Sequence, residues 1–104
     1  MDYLPEVYND FQRQYPELAE AYGELAGRVI RGGPLDDKTG ELVKLGIAIG
    51  LGSEGAVRSH ARRALDGGAS VEELRHAVLL AMTTAGFPAM IAAMKWVEAV
   101  IEKR

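Results

Sequence analysis

LDDKTGELVKLGIAIGLGSEGAVRSH, residues 35–60, contains two helical patterns that meet at closely spaced glycines. Asp36 suits the start of the first helix, because its carboxylate can accept hydrogen bonds from the free backbone N–H groups of the first turn. The residues after Lys44 are apolar on most sides, which predicts a central helix. The segment Gly50–Gly52 predicts a turn, and Ser53 can cap the next helix.

The pattern that follows Ser53 predicts a helix to Leu65, stopped by the glycines at 67 and 68. Ser70 and Glu73 fit a capping box, in which each side chain accepts a hydrogen bond from the other's backbone N–H. The next helix is expected to continue to Ala85. Its apolar residues at helical spacing are Val71, Leu74, Val78, Ala81, Met82 and Ala85.

The segment Gly86–Pro88 predicts the end of that helix, and a last helix is expected from Ala89 to Lys103. Its inward residues are expected to be Ile91, Met94, Val97 (or Val100) and Ile101. We expect Met94 and Trp96 to lie in the core or at a subunit contact, and His76 on the preceding helix to lie at the surface or an interface.

Before residue 35 the sequence predicts one helix to about Gln14 and a second from Pro16 to Ile30, since proline is tolerated in a first helical turn. Tyr8, Tyr15 and Tyr22 recur every seven residues and can share a helix face. With Tyr3 and Phe11, they favour packing or a subunit contact over a ligand wall.

No alternating strand pattern is present, and the predicted helices are joined by short connections. The sequence therefore predicts an all-α fold, a single-domain helical bundle that covers residues 1–104. A content of 48% hydrophobic residues fits one globular domain of this length.

The composition argues against several kinds of site and partner. The chain has no cysteine, which excludes disulfides, thiolate nucleophiles and sulfur-based metal sites. Its 2 histidines are not spaced with carboxylates as metal ligands, so we expect no metal. A net charge of -3 argues against nucleic acid as the main partner. We find neither a signal peptide nor an apolar run of about 18 residues, so we expect a cytoplasmic protein without a membrane partner.

Glu41 and His60 are the pair of side chains that can carry proton chemistry. If the chain reverses near Gly52, the two residues lie at similar heights on antiparallel helices, within one helical turn of each other. A glutamate that faces a histidine can hold or move a proton. Spacing alone leaves the ordinary alternative open, in which His60 is a surface or satisfied core residue and Glu41 interacts with the helix dipole.

Several segments resemble the superfamily that contains carboxymuconolactone decarboxylases and alkylhydroperoxidase D. Residues 35–45 look like the start of its core helix, and residues 53–60 (SEGAVRSH) are similar to its Cys-Glu-x-Cys-x-x-x-His motif. Residues 64–74 resemble its helix–glycine–helix step, and residues 85–89 (AGFPA) resemble its AGxPA turn. The resemblance covers about residues 35–95 and implies the same helical fold.

In the alkylhydroperoxidase D branch, two cysteines perform the redox step and a glutamate and a histidine relay protons. The resemblance places Glu41 and His60 at the relay positions and Ser53 and Ala56 at the two cysteine positions. Disulfide exchange requires a thiolate that attacks and a sulfur that leaves. Thiol peroxidase activity is therefore excluded for this chain.

The decarboxylase branch lacks this cysteine pair and resembles the chain at Glu54, His60, Arg62 and Gly68. Such a reaction needs an anchor for the carboxylate, a sink for its electron pair and a proton donor. The unsaturation of a lactone substrate can be the sink, so no cofactor is expected. Arg58 or Arg62 can hold the carboxylate, Glu54 is also expected at the substrate, and His60 can donate the proton. At most one of the two arginines can join His60 in one pocket without help from a neighbouring subunit. Glu41 departs from this branch, because it is more typical of the thiol-active one.

The resemblance also implies self-assembly, as a homotrimer or homohexamer. The small residues Gly46, Gly50, Ala89, Ala92 and Ala93 fit close helix packing between copies.

Three functional hypotheses follow. The chain is a cofactor-free lyase or isomerase acting on a small anionic, carboxylated metabolite, or it is a non-catalytic binding or assembly protein. The third, a thiol-dependent antioxidant, is refuted by the missing cysteines.

Overall fold

The computed structural model describes residues 6–104, and this range is helical without strands. The helices are α1 Glu6–Gln14, α2 Pro16–Ile30, α3 Asp37–Leu51, α4 Glu54–Asp66, α5 Val71–Leu80 and α6 Phe87–Glu102, with a short 3-10 helix at Ala81–Thr83. The predicted all-α fold is confirmed. Tyr3 lies outside the described range, as do the first residues of the chain, to which the signal-peptide prediction refers.

The described chain divides into two compact units, the first ending at Leu35 and the second covering Asp36–Arg104. In the first unit Tyr15 joins α1 to α2, and Pro16 occupies the first helical position, where its missing N–H costs no hydrogen bond. Both predicted helices therefore have the expected limits. No side chain of either helix is buried.

In the second unit α3 packs mainly against α4, and α6 packs against α4 and α5. The apolar side chains of these four helices form the core. The largest fully buried ones are Leu45, Ile49, Val57, Leu74, Val78, Met90, Val97 and Val100. Within residues 6–104 no helix is both long and apolar enough to cross a membrane.

The link between α3 and α4 is shorter than predicted. Gly50 and Leu51 belong to α3, and the turn consists of Gly52 and Ser53. Gly52 has a φ of 68°, in the left-handed region that favours glycine, and it ends the helix there. The Oγ of Ser53 accepts a hydrogen bond from the backbone N–H of Ala56 at 3.3 Å, which confirms the predicted cap.

The end of α5 also differs from the prediction. The α-helix stops at Leu80, and the backbone N–H groups of Ala85 and Gly86 both donate to the carbonyl of Ala81. The helical spacing is lost at this point, so Met82 and Ala85 are exposed instead of buried. The helix α6 begins at Phe87, two residues earlier than expected, because Pro88 is accepted within its first turn.

The inward face of α6 agrees with the prediction at Val97 and at its alternative Val100, and it lies one residue earlier at the other positions. Its buried residues are Met90, Ala93, Val97 and Val100. Ile91 is 45% exposed, and Met94 and Ile101 are half-buried, as is Trp96. With Ala93 buried within one chain, this residue is not available for packing between copies.

The helix α3 is not buried on most sides, contrary to the prediction. It enters the core through Leu45, Ala48 and Ile49, because the other helices of the unit cover one side of it. Ile47 is 58% exposed, and a Cβ added to Gly46 or Gly50 would meet no atom within 4 Å. These glycines therefore face open space, and their close packing against another copy stays a prediction.

The capping box before α5 provides a test of the fold. The backbone N–H of Glu73 donates to Ser70 Oγ, and that of Ser70 donates to Glu73 Oε1, each at 2.9 Å. These bonds and the ammonium of Lys38 hold the pKa of the Glu73 carboxyl below its usual value. Ser70→Ala removes the cap, so we expect the free energy of unfolding to fall by about 1 kcal/mol.

This loss is measured by urea unfolding followed by circular dichroism at one fixed protein concentration. The matched control is Ser59→Ala, because Ser59 lies inside α4 and caps no helix. We expect the control to change stability by less than about 0.5 kcal/mol. Equal losses in the two variants would contradict a capping role for Ser70.

Candidate functional site

Glu41 on α3 and His60 on α4 form a direct hydrogen bond. Glu41 Oε1 lies 2.7 Å from His60 Nδ1. The two side chains are 13% and 20% exposed, so the pair is largely shielded between the helices. The structure thus brings together the two residues that the spacing placed at similar heights.

The short link at Gly52–Ser53 explains this geometry. It reverses the chain within two residues, so α3 and α4 pack along their length. Glu41 then lies at the start of α3 and His60 near the middle of α4, where a long carboxylate side chain can reach the ring. Because Nδ1 faces a carboxylate, it carries the hydrogen in this bond, and Nε2 is the nitrogen that can exchange a proton.

Ser53 and Ala56, which stand at the two cysteine positions of the thiol-active relatives, lie in the cap and first turn of α4. The Ser53 hydroxyl oxygen accepts the backbone N–H of Ala56, so the two positions are linked by a capping bond. Both residues are half-buried. Their role here is to begin the helix that carries His60.

The arginines predicted to bind a carboxylate lie on a different side of α4 from His60. Arg58 and Arg62 are each two residues from the histidine, which is about 200° around the helix. Arg58 Nε donates to Glu54 Oε2 at 3.0 Å, so two predicted binding residues pair with each other. One chain therefore does not place His60 beside these arginines. Arg63, three residues after His60, is the arginine on the histidine's side, and helical spacing could have identified it.

A groove of about 830 Å³ runs between α3 and α5. It is lined by apolar residues, among them Leu42, Val43, Ile47 and Leu80, and by the polar residues Thr39, Glu73, His76 and Thr84. Within residues 6–104, neither Glu41 nor His60 lines it. The groove was not predicted from the sequence, because the apolar residues of α3 indicated a helix covered on most sides. His76 is exposed, as predicted.

A smaller pocket of about 210 Å³ lies between α5 and α6, lined by Met94, Val97 and the ion pair of Arg75 with Glu98. The guanidinium donates to both carboxylate oxygens at 2.8 and 2.9 Å and holds the pKa of Glu98 below its usual value. No group of three or more histidine, aspartate or glutamate side chains within residues 6–104 can hold a metal ion.

Comparisons with known proteins agree with this architecture. The sequence model of the carboxymuconolactone decarboxylase family matches residues 16–99, which include parts of both compact units. An uncharacterised protein of Methanocaldococcus jannaschii is 32% identical over 102 residues, 97% of this chain and 92% of that protein. The 4-carboxymuconolactone decarboxylase of Acinetobacter baylyi is 31% identical over 99 residues, 93% of this chain and 71% of that enzyme.

A solved structure has the same fold. The apo crystal structure of a carboxymuconolactone decarboxylase family protein from Legionella pneumophila superimposes with a TM-score of 0.80 at 28% sequence identity. The match covers 91% of this chain and 85% of that one. Together, the family match, the similarity over nearly the whole chain and the common fold show that the chain belongs to the carboxymuconolactone decarboxylase family.

Proposed function

We propose that the protein is a cofactor-free lyase that decarboxylates a small, unsaturated carboxylated metabolite. The observation that carries the proposal is the 2.7 Å hydrogen bond between Glu41 Oε1 and the ring of His60, largely shielded between α3 and α4. The similarity to a 4-carboxymuconolactone decarboxylase supports the choice of reaction. It makes unsaturated lactone acids the first substrates to test.

In the proposed reaction His60 is the proton donor. The bond between the ring carbon and the carboxylate breaks, CO₂ leaves, and the electron pair moves into the unsaturated lactone. His60 Nε2 then gives a proton to the carbon that carries the negative charge, and water returns a proton to the ring. Glu41 accepts the Nδ1 hydrogen and so orients the imidazole, which makes it a positioning residue.

The substrate carboxylate needs a cation, and the proposal assigns this role to an arginine of α4. Arg58 and Arg62 lie about 200° from His60 on the same helix, so a single chain does not place them beside the histidine. We therefore assign the contact to Arg58 or Arg62 of a second copy, in a homotrimer or homohexamer. Arg58 would exchange its bond with Glu54 for a bond with the substrate, since guanidinium groups bind carboxylates in pairs of hydrogen bonds.

A non-catalytic binding or assembly role is the second candidate function. The groove between α3 and α5 favours it, because the groove is mostly apolar and, within the described residues, excludes the Glu41–His60 pair. Its volume of about 830 Å³ is in the range of small-molecule sites. In this case the pair would contribute only to the packing of α3 on α4. A cytoplasmic location fits either function and stays part of the proposal.

The proposed acid–base role predicts the effect of His60→Gln. Turnover is measured by ultraviolet absorbance on a panel of unsaturated lactone acids led by 4-carboxymuconolactone. For a compound that the unchanged protein turns over, we expect the variant's rate to be lower by about 100-fold or more. Glu41→Gln should lower turnover less, because the amide oxygen can still accept the Nδ1 hydrogen and orient the ring, and only the carboxylate charge is lost. The matched control is His76→Gln, which changes the other histidine, exposed on α5.

Equal activity of the His60→Gln and His76→Gln variants would remove His60 from the mechanism. A panel on which the unchanged protein shows no turnover would favour the binding or assembly role. In that case the same compounds are tested for binding by calorimetry, again with both histidine variants.

The geometry of the relay predicts a gain of function. Ser53→Cys with Ala56→Cys restores a cysteine pair seven and four residues before His60. We expect this double variant to reduce peroxide in the presence of a dithiol, because the histidine and glutamate can then assist thiolate formation. Ser53→Cys alone is the control, since it has no second sulfur to form the disulfide. A folded double variant without peroxide reduction would show that Glu41 and His60 are not a working relay.

A further inference from the structure

Two basic residues lie beside the Glu41–His60 pair, one on each of the two helices that carry it. On α3, Lys44 follows Glu41 by three residues. On α4, Arg63 follows His60 by the same interval, and we call these two residues the cation pair. A step of three residues turns a helical position back by about 60°. Because α3 and α4 run in opposite directions, the equal steps turn both cations toward the same face of the helix pair.

This face points away from the core. The residue four positions after each member of the acid–base pair is completely buried, Leu45 on α3 and Ala64 on α4. A step of four residues turns a helical position forward by about 40°, so the core lies on that side. The steps of three residues turn the other way, toward solvent. Arg63 is accordingly exposed, and Lys44 is half-buried.

Both cations can reach the height of the histidine ring. Side chains on an α-helix lean toward its N-terminus, so Lys44 leans back toward Glu41 and Arg63 leans back toward His60. Each cation begins about 4.5 Å along its helix from the residue it leans toward, a distance that long basic side chains cover. Since the helices are antiparallel, the two cations approach the acid–base pair from opposite ends.

The cation pair has no partner of opposite charge among residues 6–104. Neither Lys44 nor Arg63 takes part in any of the ion pairs of this range. Arg58 differs, because it is paired with Glu54 on its own helix. Asp37, which is close to the height of Arg63, also forms no ion pair in this part of the chain. Two positive charges on one face are therefore available to an anion.

The free nitrogen of His60 is accessible beside these cations. Within residues 6–104, the hydrogen bond of the ring joins Nδ1 to Glu41, and Nε2 has no partner. Nε2 is not a buried atom, so a ligand can reach it. The core covers the opposite side, so this access is from the face that carries the cation pair. A proton donor and two cations are thus presented together by a single chain.

We propose that Lys44 and Arg63 are substrate-binding residues, which hold a second anionic group that stays on the substrate after CO₂ leaves. The guanidinium can bind a carboxylate through two parallel hydrogen bonds, and the ammonium adds a point charge. The protein then selects dianions over monoanions of the same size. This assignment is separate from that of Arg58 or Arg62 of a second copy, which contacts the carboxylate that is lost.

The inference deepens the proposed lyase function and rests on it for the reaction, but binding can be measured without turnover. The probes are adipate and hexanoate, a dianion and a monoanion with six carbon atoms each. Binding is followed by the nuclear magnetic resonance shifts of the His60 ring at neutral pH and constant ionic strength. His76, exposed on α5, is the internal reference. We expect a saturable shift of His60 with adipate and a Kd about tenfold higher or more with hexanoate.

A pair of double variants assigns the binding to the cation pair. We expect Lys44→Gln with Arg63→Gln to raise the Kd of adipate about tenfold or more. The matched control is Lys95→Gln with Arg31→Gln, which removes the same two charges from exposed positions elsewhere. The proposal is overturned if adipate binds no tighter than hexanoate, or if the folded Lys44→Gln, Arg63→Gln variant binds adipate as its control does.

The two proposals fail in different ways. Adipate binding that requires the cation pair, in a protein that turns over no lactone acid, would support the binding site and contradict the lyase. Turnover of a dianionic lactone acid whose KM is the same in the two double variants would support the lyase and overturn the role of the cation pair.

Discussion

The packing of α3 against α4 is the interaction on which the rest of the second unit depends. Gly52 and Ser53 reverse the chain, one by adopting the left-handed backbone and the other by capping the next helix. Leu45 and Ile49 on α3 and Val57 on α4 are almost completely buried as a result. Since α6 packs on α4, a change in this turn would alter the core and the distance between Glu41 and His60 together.

Helix limits were predictable where a local interaction sets them. Asp36, Ser53 and Ser70 each accept a backbone N–H three residues later, so the sequence contains the whole interaction. The faces of α3 and α6 were not predictable in the same way. Each is apolar on more than one side, and the neighbouring helices decide which side is covered. The end of α5 at Leu80 was missed because a 3-10 turn keeps the apolar composition of an α-helix but changes its spacing.

The candidate site also has a part that could be predicted from the sequence and a part that could not. The Glu41–His60 contact could be predicted because a short reversal fixes the relative height of two helices. The groove could not be predicted, because it is a surface that α3 and α5 leave open, and no local sequence pattern indicates such a surface. The choice of arginine needed only the angle between positions on one helix, and that angle separates Arg58 and Arg62 from His60.

Within residues 6–104, the groove between α3 and α5 is an exposed apolar surface, and it is connected to the candidate site through α3. Val43 and Ile47 of α3 line the groove. Glu41 lies on the opposite side of the same helix, where it forms the hydrogen bond with His60. A single helix, α3, therefore carries both the apolar lining of the groove and the carboxylate of the acid–base pair, on opposite sides.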